Sequence, residues 1–162
     1  MRIGVLSDTH IPGRARRLPA PLLAAFAGVD LILHAGDITT ADVLQQLRAI
    51  APVEAVAGNK DPVPLALSLG LTREFALGGY RIGMAHGHTG AGKSTVERAL
   101  GHFHGADCVV FGHSHIPYCQ WHDGTLAFNP GSATDRRRSP RCSYGFLYLE
   151  PGGLRTELRY LG

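Results

Sequence analysis

The chain has 162 residues, 44% of them hydrophobic, and its 16 basic and 13 acidic residues leave a net charge of +3. This excludes a disordered or supercharged protein, and the positive balance is too small to imply nucleic acid. The 21 glycines have no period of three, which excludes collagen. Cys108, Cys119 and Cys142 form no C-x-x-C pair, which argues against a disulfide framework or a zinc knuckle.

The length suggests one domain over residues 1–162. No apolar run reaches the ~18 residues of a membrane span, and Met1 to Ser7 reads as a strand rather than a secretory leader. A reducing cytoplasm is the expected compartment.

Arg2 to Leu6 reads as a buried strand, ended by Ser7-Asp8. Pro19 and Pro21 precede Leu22 to Phe26, which suits a short helix with proline in its first turn. Val29 to Leu33 is a second strand. Thr40 can cap a helix starting near Ala41, with Val43, Leu44, Leu47 and Ile50 on one face and Pro52 as its stop. Val53 to Ala57 is a third strand, and this alternation predicts a parallel sheet. Hairpins follow. Arg73 to Leu77 and Tyr80 to Ala85 flank Gly78-Gly79. Ser94 to Leu100 reads as a short helix and Asp107 to Phe111 as a buried strand. Ile116 to Trp121 and Thr125 to Phe128 flank Asp123-Gly124, and Tyr144 to Leu149 and Leu154 to Tyr160 flank Pro151-Gly152-Gly153. A layered α/β fold with two packed sheets fits this order.

Polar residues recur where the apolar strands stop: Asp8-Thr9-His10, Gly36-Asp37, Gly58-Asn59, His86-Gly87-His88 and Gly112-His113-Ser114-His115. In an extended segment Asp8 and His10 face the same way. The carboxyl ends of parallel strands gather at one crevice. Asp8, His10, Asp37, Asn59, His86, His113 and His115 would then form a cluster of carboxylate, imidazole and amide without thiolate. That donor set suits manganese, iron, cobalt, nickel or zinc. Seven side chains exceed the need of one tetrahedral ion and suggest two, about 3.5–4 Å apart, sharing a carboxylate.

The ordered set D-x-H, G-D, G-N-x-D, H-G and G-H-x-H resembles the calcineurin-like metallophosphoesterase superfamily. Its small YfcE-type phosphodiesterase branch is similar over essentially the whole chain. The resemblance implies an α/β sandwich of two packed mixed β-sheets flanked by helices. It implies one ion on Asp8, His10, Asp37 and His115 and a second on Asp37, Asn59, His86 and His113, with Asp37 bridging. It also implies hydrolysis of phosphodiesters, more often than phosphomonoesters, by a metal-activated hydroxide. Two divalent ions are the expected cofactors, manganese first, with nickel, iron, cobalt and zinc open. Asp37, Asn59 and His88 are the residues expected to act on substrate, Asn59 by offsetting charge on the phosphoryl oxygens. The expected partner is a small phosphate ester, cyclic and short nucleotides included, with no membrane and no sequence-specific nucleic acid. A homo-oligomer is left open. The competing reading is a metal-binding interaction scaffold of the same fold without physiological catalysis, because relatives in membrane-trafficking complexes keep the fold in that role.

Lys60 departs from the pattern, since many superfamily members carry a histidine after the motif asparagine. It reads as a solvated turn lysine or a phosphate contact. Asp61 is expected to shape the loop or orient a histidine ligand. His34 reads as structural, and Asn129-Pro130-Gly131-Ser132 as a wall of the site. Gly87 to Ser94 satisfies G-x-x-x-x-G-K-[ST], but His86 ties that segment to the metal cluster. The cluster Arg136-Arg137-Arg138 reads as a solvated loop or as a reach toward a phosphate-rich ligand.

Overall fold

The computed structural model describes residues 1–162. In chain order the elements are β1 (Arg2–Leu6), α1 (Ala20–Ala25), β2 (Leu31–His34), α2 (Ala41–Arg48), β3 (Val53–Ala55), α3 (Val63–Leu69), β4 (Thr72–Leu77) and β5 (Tyr80–Ala85). Then come α4 (Thr95–Leu100), β6 (Cys108–Val110), β7 (Tyr118–His122), β8 (Thr125–Asn129), β9 (Ser143–Glu150) and β10 (Gly153–Tyr160). The two-residue turns form as read: Gly78 and Gly79 have φ of 58° and 85°, and Asp123 and Gly124 have 47° and 86°. A positive φ at both central residues matches the right-handed twist of the hairpin strands. Thr40 caps α2 by accepting the Asp42 N–H, and Ser94 with Glu97 closes a reciprocal capping box on α4.

The strands form two five-stranded sheets, ordered β10-β9-β1-β2-β3 and β4-β5-β6-β8-β7. β1, β2 and β3 run parallel, as do β5, β6 and β8, while the outer pairings are antiparallel. Alternation along each strand decides the layers. Ile3, Val5 and Leu33 meet Ile82, Met84, Val110 and Phe128 between the sheets. Leu6 and Ile32 point the other way, against Leu22, Phe26, Val43 and Leu47 of the α1–α2 layer. Phe26 is fully buried there, worth about 1.5–3 kcal/mol. Ala99 of α4 packs with Val109, Phe111 and Ala127 on the outer face of the second sheet. The result is an α/β sandwich of two mixed sheets flanked by helices.

Helix α3 is absent from the elements expected from the sequence, although Pro64 in its first turn and Gly70 at its C-cap are helix-boundary residues. Leu65, Leu67 and Leu69 alternate with a strand-like period of two, and Pro62 and Pro64 bracket its start. It buries none of its residues, and Val63 and Leu67 are 70% and 81% exposed. No helix is long and apolar enough to cross a membrane.

Candidate metal centre

The loops after β1, β2, β3, β5 and β6 converge at one end of the sandwich. The first sheet supplies Asp8, His10, Asp37 and Asn59, and the second supplies His86, His113 and His115. Strand alternation is not what aims them. Asp8, His10, Asp37, His113 and His115 have φ of 55°, 44°, 57°, 67° and 61°, so each sits in the left-handed region. Such conformations cost about 1–3 kcal/mol apiece and persist only where surrounding contacts over-determine them. Those contacts are present. Asp8 N–H donates to Gly36 O at 2.9 Å, His10 N–H to Asp37 O at 3.0 Å, and His113 N–H to Asp8 Oδ2 at 3.0 Å.

Two groups of potential ligands result. Asp8, His10 and His115 each place one ligand atom within 4.8 Å of one another, as do Asp8, Asp37 and His86. Asp8 Oδ1 lies 3.3 Å from His115 Nε2, 3.8 Å from His10 Nε2 and 3.7 Å from His86 Nε2. Asp37 Oδ2 lies 3.4 Å from His10 Nε2 and 3.2 Å from His86 Nε2. Both carboxylates therefore stand between the two sets of imidazoles. Asn59 and His113 occupy the more open side, with Asn59 Oδ1 3.2 Å from His113 Nδ1. His88 is half-buried, its ring centroid 5.3 Å from that of His86.

Ring orientation is set from outside. His86 Nδ1 lies 2.7 Å from Ala35 O and His115 Nδ1 lies 2.6 Å from Asp135 O. Donation to these carbonyls turns both Nε2 lone pairs inward. Asp8 Oδ1 and His86 Nε2 are buried without hydrogen-bond partners. His10 Nε2 faces His115 Nε2 at 3.3 Å. Converging lone pairs beside two buried carboxylates suit a dinuclear metal cofactor.

The charge distribution agrees. Burial pushes the Asp8 carboxyl up, but His10, His115 and His86 more than offset this and hold it well below the usual carboxylate range. Burial also raises Asp37, and its contact with His86 and the Lys60 N–H bring it below its ordinary value. Burial lowers His86, yet Asp37 and Asp8 carry its pKa above the usual imidazole range. Burial, then the neighbouring His86 charge, lowers His88 and His113.

The surrounding residues hold this frame. The Asp61 carboxylate accepts the N–H groups of Asp37, Ile38, Thr39 and Gly58 at 2.7–3.0 Å. It clamps the β2 and β3 loops together and contacts no histidine, so of the two roles expected for it only loop shaping is found. Lys60 is exposed, and its backbone N–H donates to Asp37 Oδ1 at 2.7 Å. The Ser132 hydroxyl donates to Asp8 O at 2.7 Å and accepts the Asp135 N–H at 2.9 Å, so it braces the wall of the site. Asp135, which no motif announces, anchors His115.

His34 is structural, as expected. Its Nδ1 accepts the Gly36 N–H at 3.2 Å and its Nε2 lies 3.0 Å from Thr9 Oγ1. Burial lowers its pKa from 6.5 to about 4, against the pull of Asp61 and Asp8. Between these values the unfolded chain binds the proton and the fold does not, so stability falls as pH drops through the window. The contribution is on the order of 3 kcal/mol. His86, with a raised pKa, acts in the opposite sense: its contribution is full below 6.5 and is lost as pH rises. Urea unfolding of chelated protein between pH 7 and 4.5 should therefore show a steeper loss in wild type than in His34→Gln. Equal slopes would contradict this assignment.

The glycine-rich segment before α4 does not form a phosphate cradle. Glu97 Oε2 accepts the N–H groups of Lys93 and Ser94 at 2.6 and 3.0 Å, which occupies the amides that a nucleotide would need. Arg98 Nε donates to Gly87 O at 2.9 Å, fastening the loop to its own helix. Lys93 is exposed. Lys93→Ala should retain turnover within about tenfold, or roughly 1.4 kcal/mol, in steady-state assays of the metal-loaded protein.

A model of the calcineurin-like phosphoesterase superfamily domain matches residues 1–152. The chain belongs to the calcineurin-like phosphoesterase superfamily. Within the superfamily, a probable metallophosphoesterase of Methanothermobacter thermautotrophicus is 42% identical over 135 residues, spanning 83% of this chain and 78% of that protein. Vps29 of Chaetomium thermophilum shares the fold with a TM-score of 0.81 at 22% identity, over 99% of this chain and 96% of that one. Vps29 of Entamoeba histolytica, solved with Zn²⁺, gives 0.74 at 24% identity over 99% of each chain. A solved archaeal phosphodiesterase gives 0.74 at 23%, over 98% of this chain and 100% of that one. These three likenesses establish the common calcineurin-like sandwich.

Proposed function

We propose that this chain is a dinuclear-metal phosphoesterase of the small YfcE-type branch, acting on phosphodiesters. The observation that carries the proposal is the pair of buried ligand groups, Asp8–His10–His115 and Asp8–Asp37–His86. Asp8, His10, Asp37 and His115 are assigned to one ion and Asp37, Asn59, His86 and His113 to the other. When bound, such ions act as Lewis acids on the phosphoryl oxygens and lower the pKa of attacking water. Asn59, exposed at the rim, can donate its amide N–H to a phosphoryl oxygen. His88, with its lowered pKa, is neutral at pH 7 and orients the ester by hydrogen bonding. The exposed Lys60 ammonium attracts an anionic diester. Manganese is our first candidate, with zinc next given the zinc-bound Vps29. We assign residues 1–162 to one metallophosphoesterase domain. Its three free cysteines suit a reducing cytoplasm.

A second reading is a metal-binding interaction scaffold without physiological catalysis. The solved folds weigh toward this reading, since Vps29 of Chaetomium thermophilum, Entamoeba histolytica and Cryptosporidium parvum shares the sandwich. The exposed Val63, Leu67 and Leu71 offer apolar contact surface for it. The experiment that separates the readings is to load the chain with manganese or zinc, count ions by mass spectrometry, and assay bis(p-nitrophenyl) phosphate beside p-nitrophenyl phosphate. We expect two ions per chain and faster turnover of the diester. Two ions with no turnover of any ester selects the scaffold, and saturation at one ion overturns the dinuclear centre.

A further inference from the structure

Beside the candidate metal centre lies a cavity of about 400 Å³, lined by Thr95, His113, Ser114, Ile116, Arg137 and Arg138. That volume is in the usual range of small-ligand pockets, about 300–1,000 Å³, and exceeds what one phosphoryl group needs. His113 belongs to both places, with its Nδ1 3.2 Å from Asn59 Oδ1, so the cavity adjoins the centre.

Its charge is only partly compensated. No acidic side chain lines it. Arg137 reaches only Asp135, with Nε 3.7 Å from Oδ2, and Asp135 also faces Arg14 Nε at 3.4 Å. Arg138 makes no ion pair. The other cavity, between β3 and β4, differs: its Arg73 pairs with Glu54, and its Glu74 with Arg81.

The loop that carries the arginines is anchored at its start. Their loop is tied to the centre through Ser132, which bonds to Asp8 and Asp135, and through the His115 contact to Asp135 O. Arg137 adopts φ 44°, a conformation glycine would take without cost. Strain of this kind clusters at ligand clamps. Ile116, 47% exposed, adds an apolar wall.

We propose that this cavity binds the organic arm of a phosphodiester that bears a second phosphate, with Arg137 and Arg138 on that phosphate and Ile116 against the nucleoside. The substrate class is thus a nucleotide phosphodiester that carries a second, separate phosphate, with the diester at the metal ligands and the second phosphate at the arginines. Guanidinium groups bind phosphate oxygens in bidentate, charge-assisted fashion. Binding energy from such a remote group can be expressed in the chemical step. The inference rests on the phosphodiesterase reading.

The test is calorimetric binding to the metal-loaded full chain, with adenosine 3′,5′-bisphosphate and adenosine 5′-monophosphate as probes. We expect the bisphosphate to bind about tenfold tighter or better. The Arg137→Gly/Arg138→Ala double variant should reduce the preference to about twofold or less, with glycine suited to the backbone at 137. Arg138→Glu alone, at an exposed side chain, should lower it by about threefold or more. A wild-type preference below about twofold, or one that survives intact in the double variant, overturns the subsite. Bis(p-nitrophenyl) phosphate has no second phosphate, so its turnover by wild type tests only the phosphodiesterase reading. Preference without turnover keeps the subsite and sinks that reading, and turnover without preference does the reverse.

Discussion

Replacing Asp37 by alanine is expected to lower occupancy of both ions and to reduce diester turnover by about a thousandfold or more, equivalent to roughly 4 kcal/mol. The reason is position. One oxygen, Oδ2, stands 3.4 Å from His10 and 3.2 Å from His86, while Oδ1 receives the Lys60 N–H. No other side chain supplies that pair of contacts from β2. Asp8→Ala should be as severe, because Asp8 Oδ1 also faces imidazoles of both groups. His10→Ala should mainly deplete one ion, since His10 belongs to one group only. Ion counts by mass spectrometry and kcat/KM decide the matter. An Asp37→Ala protein that retains two tightly held ions would remove Asp37 from the centre.

The second large effect is expected at a residue without a side chain. A Cβ at Gly58 would stand 2.2 Å from Asp37 Oδ1 and 2.4 Å from the Asp37 backbone nitrogen. The backbone cannot yield without breaking the Asp61 clamp, which also holds the Gly58 N–H at 2.7 Å. Gly58→Ala should therefore cost about 1–3 kcal/mol of stability. At about 2–4 °C per kcal/mol for a chain of this size, the melting temperature should fall by roughly 2–12 °C. Metal affinity should drop about 10–100-fold, as when a group that orients a ligand is disturbed. Gly152→Ala is the control, since nothing lies within 4 Å of its Cβ. Equal melting curves and equal ion affinities for the two variants would refute the close-packing argument.

The strands were legible because alternation and turn chemistry agreed. Gly78-Gly79 and Asp123-Gly124 can adopt the left-handed pairs that hairpins require, and Ile3, Val5 and Leu33 take the core side of the first sheet. Helix α3 was illegible because it fully buries no residue and only Leu65 and Leu69 pack partly against the core, too short a face to outweigh its period-two leucines. The seven candidate ligands could be recognised as strand-end residues, and the loops do bring them together. Their geometry could not be read, since Asp8 and His10 converge through left-handed backbone rather than through an extended segment. Asp61 and Asp135 show why partners are harder to see than ligands. Each works through backbone amides or carbonyls from distant loops, contacts that leave no local pattern. The glycine loop illustrates the converse: its pattern is present, but Glu97 three residues on takes the amides that would give it meaning.

The division of donors between the two sheets has a mechanical consequence. Both carboxylates come from one sheet and three of the four imidazoles from the other, so ions held between them act as a clasp across the seam. Any fluctuation that parts the sheets at that end must first release the clasp. Ion binding then stabilises the closed sandwich by mass action, about 2.7 kcal/mol at a hundredfold excess over Kd for one site. Chelation should accordingly speed amide exchange first at His113, whose N–H crosses the seam to Asp8 Oδ2. The hairpin β9–β10, at the far edge of the first sheet, should exchange at an unchanged rate.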